Sequence, residues 1–223
     1  MEMAHSGVYT ASGTLVIFTR VDGLLRQRAV APASGDSAPA HGDSAPAHGD
    51  SAPAHGDRAP CELSCNALSA LISTRVPLVF VSDSDAPDVR QIQHELGLMQ
   101  PFISSGGSAL HIPPEYFNQL DDVPACGDQW EMFSFDTVGP AAAMRLLGAL
   151  FLARGHDKIL TVGLGCDAND GAMLAAVDIP IVVRDQRFDQ SALLRYVPGA
   201  YLTTATGAAG WLEAVVGPSA LNA

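Results

Sequence analysis

The chain has 223 residues, 48% of them hydrophobic, enough for one sizeable α/β core or a core with a small appendage. Twenty-four acidic against twelve basic residues give a net charge of −12, which repels nucleic-acid phosphates and anionic lipid and argues against both as partners. No apolar run reaches membrane-spanning length, and the acidic start Met1-Glu2-Met3-Ala4-His5 carries no leader signature, so the expected address is the cytoplasm.

The first predicted element is the strand Leu15-Val16-Ile17-Phe18, which exits through Thr19-Arg20-Val21-Asp22-Gly23. Four β-prone residues in a row suit a strand buried on both faces of a parallel sheet, where ligands sit at the carboxyl ends. Arg20 and Asp22 fall at that end. From Ser37 to Asp57 the heptapeptide Ser-Ala-Pro-Ala-His-Gly-Asp then occurs three times. A proline and a glycine in every unit forbid a continuous helix, so residues 31–60 are expected to form a disordered, low-complexity insertion. His41, His48 and His55 with their flanking aspartates could form a weak metal tract; repeat expansion in a tolerant loop is the simpler account.

Leu63 to Thr74 carries apolar residues at helical spacing. A second buried strand follows, Leu78-Val79-Phe80-Val81, closing in Ser82-Asp83-Ser84-Asp85, and it should lie beside the first. Pro87 and Asp88 suit the first turn of the next helix, which runs to Gly97 with His94 solvated. The four cysteines, Cys61, Cys65, Cys126 and Cys166, form no C-x-x-C pair and read as reduced thiols.

The strand ending in Arg20-Val21-Asp22-Gly23-Leu24 resembles the first motif of the haloacid dehalogenase (HAD) superfamily, Asp-x-Asp-Gly-Thr, with Arg20 at the nucleophile position. Within that superfamily, Ser82-Asp83-Ser84-Asp85, Pro101-Phe102-Ile103-Ser104-Ser105-Gly106-Gly107-Ser108-Ala109 and Gly207-Ala208-Ala209-Gly210-Trp211-Leu212-Glu213-Ala214-Val215 resemble segments of mannosyl-3-phosphoglycerate phosphatases. Ser82 keeps the phosphate-binding hydroxyl of that pattern, whereas Ser84, Ser105 and Gly106 replace its Lys, Glu and Asn. The last motif, Gly165-Cys166-Asp167-Ala168-Asn169-Asp170-Gly171-Ala172-Met173-Leu174, resembles the family's Gly-Asp-Ser-x-Asn-Asp-x-x-Met-Leu, with Cys166 where a Mg²⁺-binding Asp normally stands. Asp167, Asn169 and Asp170 are the metal-side residues that remain.

The family inserts an α/β cap before the helix that carries a catalytic lysine. Only residues 113–138 are available for a cap here, too few for a packed layer, so the cap is expected to be vestigial. The one lysine, Lys158, precedes a strand and would lie at the sheet's amino end. A competing pattern, Gly163-x-Gly165-x-x-Ala168 with Asp185 after the next strand, also fits a dinucleotide-binding fingerprint.

The expected fold is a single α/β domain over 1–223, with a HAD-like Rossmann core, a mainly parallel sheet with strands near 14–19, 78–82, 159–163 and 179–183, helices on both faces, and a reduced or absent cap. The resemblance implies a Mg²⁺-dependent phosphatase acting on a phosphorylated sugar. The residues favour a catalytically impaired relative that binds a phosphorylated ligand or a partner protein. Arg20 in that case either offers its donor fork to a phosphate held by Ser82, or turns outward, or pairs with Asp22 or Asp170.

Overall fold

The structure, a computed structural model, describes residues 9–10, 13–21, 68, 76–114, 116–117, 130–136 and 139–220. The repeat, Asp22 and nearly all of the helix expected over Leu63 to Thr74 lie outside these residues; Leu68 is helical and buried.

The strands are β1 (Tyr9–Thr10), β2 (Gly13–Arg20), β3 (Leu78–Val81), β4 (Phe102–Ser104), β5 (Ala109–Ile112), β6 (Glu131–Ser134), β7 (Ile159–Gly165), β8 (Ile179–Arg184) and β9 (Tyr201–Thr206). The helices are α1 (Ala86–Glu95), α2 (Ala141–Ala153), α3 (Gly171–Leu174), α4 (Ser191–Tyr196) and α5 (Gly207–Ala220). The sheet order is β6-β5-β4-β3-β2-β7-β8-β9, with β1 paired to β2. Strands β4, β3, β2, β7, β8 and β9 run parallel, while β5, β6 and β1 pair antiparallel. This is the expected α/β, Rossmann-type architecture, a mainly parallel sheet with helices on both faces.

The apolar strands are continuous because both faces are covered. Leu15, Ile17, Leu78, Phe80, Val162 and Leu164 pack on one side with Val89 and Ile92 of α1 and Trp211, Ala214 and Val215 of α5. Their alternates Val16, Phe18, Val79 and Val81 pack on the other with Met144, Leu147 and Phe151 of α2 and Leu193 of α4. Trp211, fully buried, donates its Nε1 hydrogen to Thr19 Oγ1 at 2.9 Å, tying α5 to the last turn of strand before Arg20. Of residues 113–138, Glu131–Ser134 form the edge strand β6 of the main sheet.

The chain reverses between β4 and β5 through a 3₁₀ turn, Ser105–Gly107, all three residues of which have positive φ: 52°, 65° and 103°. Gly107 is required twice over. Its φ disfavours any side chain, and a β-carbon there would stand 2.3 Å from the carbonyl carbon of Gly139, at the entry to α2.

His111 on β5 is 3% exposed, stacked on Phe102 at 4.5 Å between ring centroids, with its Nε2 3.0 Å from Ser104 Oγ. Its Nδ1 has no hydrogen-bond partner among the described residues. Burial pushes its pKa down, and the Arg90 charge adds to this. In the unfolded chain the imidazole takes a proton near pH 6.5; in the fold it does so only at lower pH. The neutral ring's contribution to stability is therefore complete above about pH 6.5 and is lost as pH falls towards the folded value. We expect the urea midpoint to drop between pH 7 and 5 by more in wild type than in His111→Gln, and identical pH profiles would contradict this.

Candidate functional site

Strand β2 is the point from which the sheet grows in both directions: β3 and β4 on one flank, β7, β8 and β9 on the other. At such a switch point the connections after neighbouring strands diverge and leave a crevice at the carboxyl ends. The register sets Arg20 beside Val81 and Thr19 beside Leu164, so the exits of β2, β3 and β7 are level. Arg20, Ser82, Asp83 and the segment from Cys166 to Asp170 therefore meet there.

Arg20 is buried, 6% exposed, and lies between two carboxylates. Its Nε is 2.8 Å from Asp170 Oδ1. The contact is ionic rather than in line, since Oδ1 accepts no directed hydrogen bond among the described residues. Its two terminal nitrogens donate to Asp83 as a fork, Nη1 to Oδ1 at 3.1 Å and Nη2 to Oδ2 at 2.5 Å. Asp170 also works on the backbone. Its Oδ2 accepts from the amides of Cys166 at 2.7 Å and Asp167 at 3.1 Å. Burial pushes Asp170 up to about 6, against the pull of Arg20 and these amides. The hydrogen bond from Arg20 holds Asp83 below the usual carboxylate range. Gly165 makes room for this arrangement: a β-carbon there would lie 2.5 Å from Asp170 Cβ.

The remaining candidates serve mainly to shape the chain. Ser82 is fully buried, and its Oγ accepts from the Ser84 amide at 3.0 Å, fixing the turn after β3. Asp167 caps the 3₁₀ turn Ala168–Asp170, its Oδ1 accepting from the Asn169 amide at 2.7 Å, while Asn169 is exposed. Cys166 is buried, and burial reinforced by Asp170, Asp167 and Asp185 pushes its thiol well above the usual range, so it stays protonated.

Sequence reasoning missed the pairing of Asp83 and missed Gln190 and Arg187, and it noticed Asp185 only in the dinucleotide pattern. Asp83 was seen only as a strand exit, and its partner lies 63 residues away. Gln190 donates from Nε2 to the carbonyls of both Cys166 at 3.2 Å and Val183 at 2.6 Å, bracing the ends of β7 and β8. Asp185 and Arg187 form a second carboxylate–guanidinium pair, with Arg187 Nε 2.9 and 3.1 Å from the two carboxylate oxygens. Burial works to raise Asp185, yet the bonds from Arg187 hold it low. The Asp-x-Arg spacing after an apolar strand was the available signal.

These residues do not fit a Mg²⁺ ion. A hard divalent cation needs several anionic oxygens converging on it. Here a guanidinium stands between Asp83 and Asp170, Asp170 Oδ2 faces two backbone amides, Asp167 caps its own turn, and Cys166 offers a neutral thiol. Among the described residues no group of three or more His, Cys, Asp or Glu is placed to hold a metal. The dinucleotide pattern fares no better. The space Gly165 opens is filled by Asp170, and α3 after the motif spans only Gly171–Leu174, too short to offer a pyrophosphate a helix dipole.

Solved structures share this fold across nearly the whole chain. A haloacid dehalogenase-like hydrolase from Bacteroides thetaiotaomicron matches with a TM-score of 0.56 and 9% identity, over 93% of this chain and 100% of its own. A hypothetical protein from Geobacillus kaustophilus gives 0.54 and 11%, over 94% and 99%. The cobalt-bound deoxy-D-mannose-octulosonate 8-phosphate phosphatase of Haemophilus influenzae gives 0.50 and 11%, over 93% and 90%. No family model and no curated protein matches the sequence. Among the described residues no helix is long and apolar enough to cross a membrane.

Proposed function

We propose that this protein binds a phosphorylated small molecule, of the sugar-phosphate class, at the carboxyl ends of β2, β3 and β7, and does not hydrolyse it. The observation that carries this reading is the placement of Arg20: a buried guanidinium at the strand exits, backed by Asp170, with its donor fork on the exposed carboxylate of Asp83. A planar fork of donors matches two oxygens of a phosphate. The substrate class is supported by the fold shared with the Haemophilus phosphatase, which acts on an 8-phosphorylated sugar acid, and by the motif resemblance to mannosyl-3-phosphoglycerate phosphatases.

Hydrolysis lacks its parts. Attack on phosphorus needs an electron pair at the position of Arg20, and a guanidinium stays protonated at any working pH. The neighbouring Cys166 thiol is held neutral. The alternative, an active Mg²⁺-dependent phosphatase, would also need the lysine and the cation that this arrangement does not provide.

The test combines turnover and binding. Purified protein with Mg²⁺ and a panel of sugar phosphates, mannosyl-3-phosphoglycerate included, is expected to release phosphate at the uncatalysed rate only. Calorimetry is expected to show no tight Mg²⁺ site, and phosphate-ester binding that persists in excess EDTA and disappears in Arg20→Met. Turnover by wild type, with contaminating phosphatase excluded, would sink the proposal. Arg20→Asp combined with Cys166→Asp should remain inactive, because no lysine stands at the start of α2.

A further inference from the structure

The two carboxylates on Arg20 differ in kind. Asp170 is 1% exposed at its side chain and is held by two backbone amides, so it cannot leave without stranding buried donors. Asp83 is 58% exposed and stands on the bend that follows β3. It offers both oxygens to both terminal nitrogens of Arg20, the same two-point geometry that a phosphate would use. Its Oδ1 lies over the Ser105–Gly107 turn, 3.7 Å from where a β-carbon of Gly106 would be. An exposed carboxylate can rotate into water at small cost, whereas Asp170 stays and keeps Arg20 in place.

We infer that Asp83 is a built-in stand-in for the ligand: its carboxylate occupies the donor fork of Arg20 in the resting protein and must swing out before a phosphate can take its seat. The inference rests on the phosphate-binding reading above and adds its regulation. Asp83 lowers affinity for every phosphate ligand by the fraction of time it holds the fork, and it discriminates against anions that cannot make two contacts at once. A monodentate anion such as chloride gains too little from the fork to displace it. Asp170 sets the position of the guanidinium, and Asp83 sets the threshold for filling it.

The experiment is calorimetric titration of the full chain with inorganic phosphate at pH 7.5, at fixed ionic strength and in EDTA. Asp83→Asn and Asp83→Ala are compared with wild type, and Asp85→Asn serves as a control, removing the same charge two residues away from a group that is not on the fork. Both Asp83 variants are expected to bind phosphate roughly fivefold more tightly, in line with release of one partly exposed ion pair. The control should match wild type, and Arg20→Met in the Asp83→Asn background should abolish the gain. Equal affinity in wild type and both Asp83 variants, with binding still lost in Arg20→Met, would overturn the stand-in role and leave phosphate binding intact. An equal gain in Asp85→Asn would reduce the effect to bulk charge and overturn the role as well. No phosphate binding in any variant would overturn the underlying reading itself.

Discussion

Asp170→Ala is expected to destabilise the protein by about 3–5 kcal/mol, the range seen when one member of a buried ion pair is removed. Three buried groups lose their partner together: the Arg20 guanidinium at Nε and the amides of Cys166 and Asp167. Asp170→Asn keeps an acceptor for the amides and should cost less. Arg20→Met combined with Asp170→Asn should recover part of the loss, since the buried guanidinium that would otherwise lose its contact at Nε is then gone. Urea denaturation of Arg20→Met, Asp170→Asn and the double variant gives the coupling energy. Near-additive losses would mean that Arg20 and Asp170 are neighbours without being a pair.

Gly107→Ala should lose about 4 kcal/mol, combining backbone strain at positive φ with a rigid overlap. A flexible neighbour could yield, but the atoms in the way are the backbone of Gly139 and Pro140, which start α2. Relieving the overlap would push α2 off the sheet face, where Met144, Leu147 and Phe151 pack. The same substitution at Gly97, whose φ is also positive but which has open space around it, should cost far less. Thermal denaturation of the pair separates the two contributions, and equal shifts would mean that strain alone decides.

The central strands were legible in the sequence because they are buried on both faces, which leaves long unbroken apolar runs. Expectations near 14–19, 78–82, 159–163 and 179–183 correspond to β2, β3, β7 and β8. The outer strands were not legible for physical reasons. Strand β4 has three residues, β6 is mostly exposed, and β9, Tyr201–Thr206, is rich in threonine and half open to solvent. Their placement is fixed by neighbours, not by their own pattern. Pro101 to Ala109 was noticed through its resemblance to a phosphatase segment, and its left-handed turn explains the glycines there. At the site, the pairing of Arg20 with Asp170 was among several outcomes left open for a guanidinium at a strand exit. Asp83 went unassigned, since nothing local distinguishes a carboxylate that caps a turn from one that reaches another strand.

Asp170 shows how a single carboxylate can be required by the fold alone. It caps a turn, fills the space beside Gly165 and neutralises Arg20, and each of these jobs concerns only whether the chain folds. Selection for a folded product is then sufficient to hold Asp170 and Gly165 in place, with no help from chemistry. A β-carbon at position 165, or loss of the carboxylate at 170, would therefore show first as a loss of folded protein, whatever the site binds.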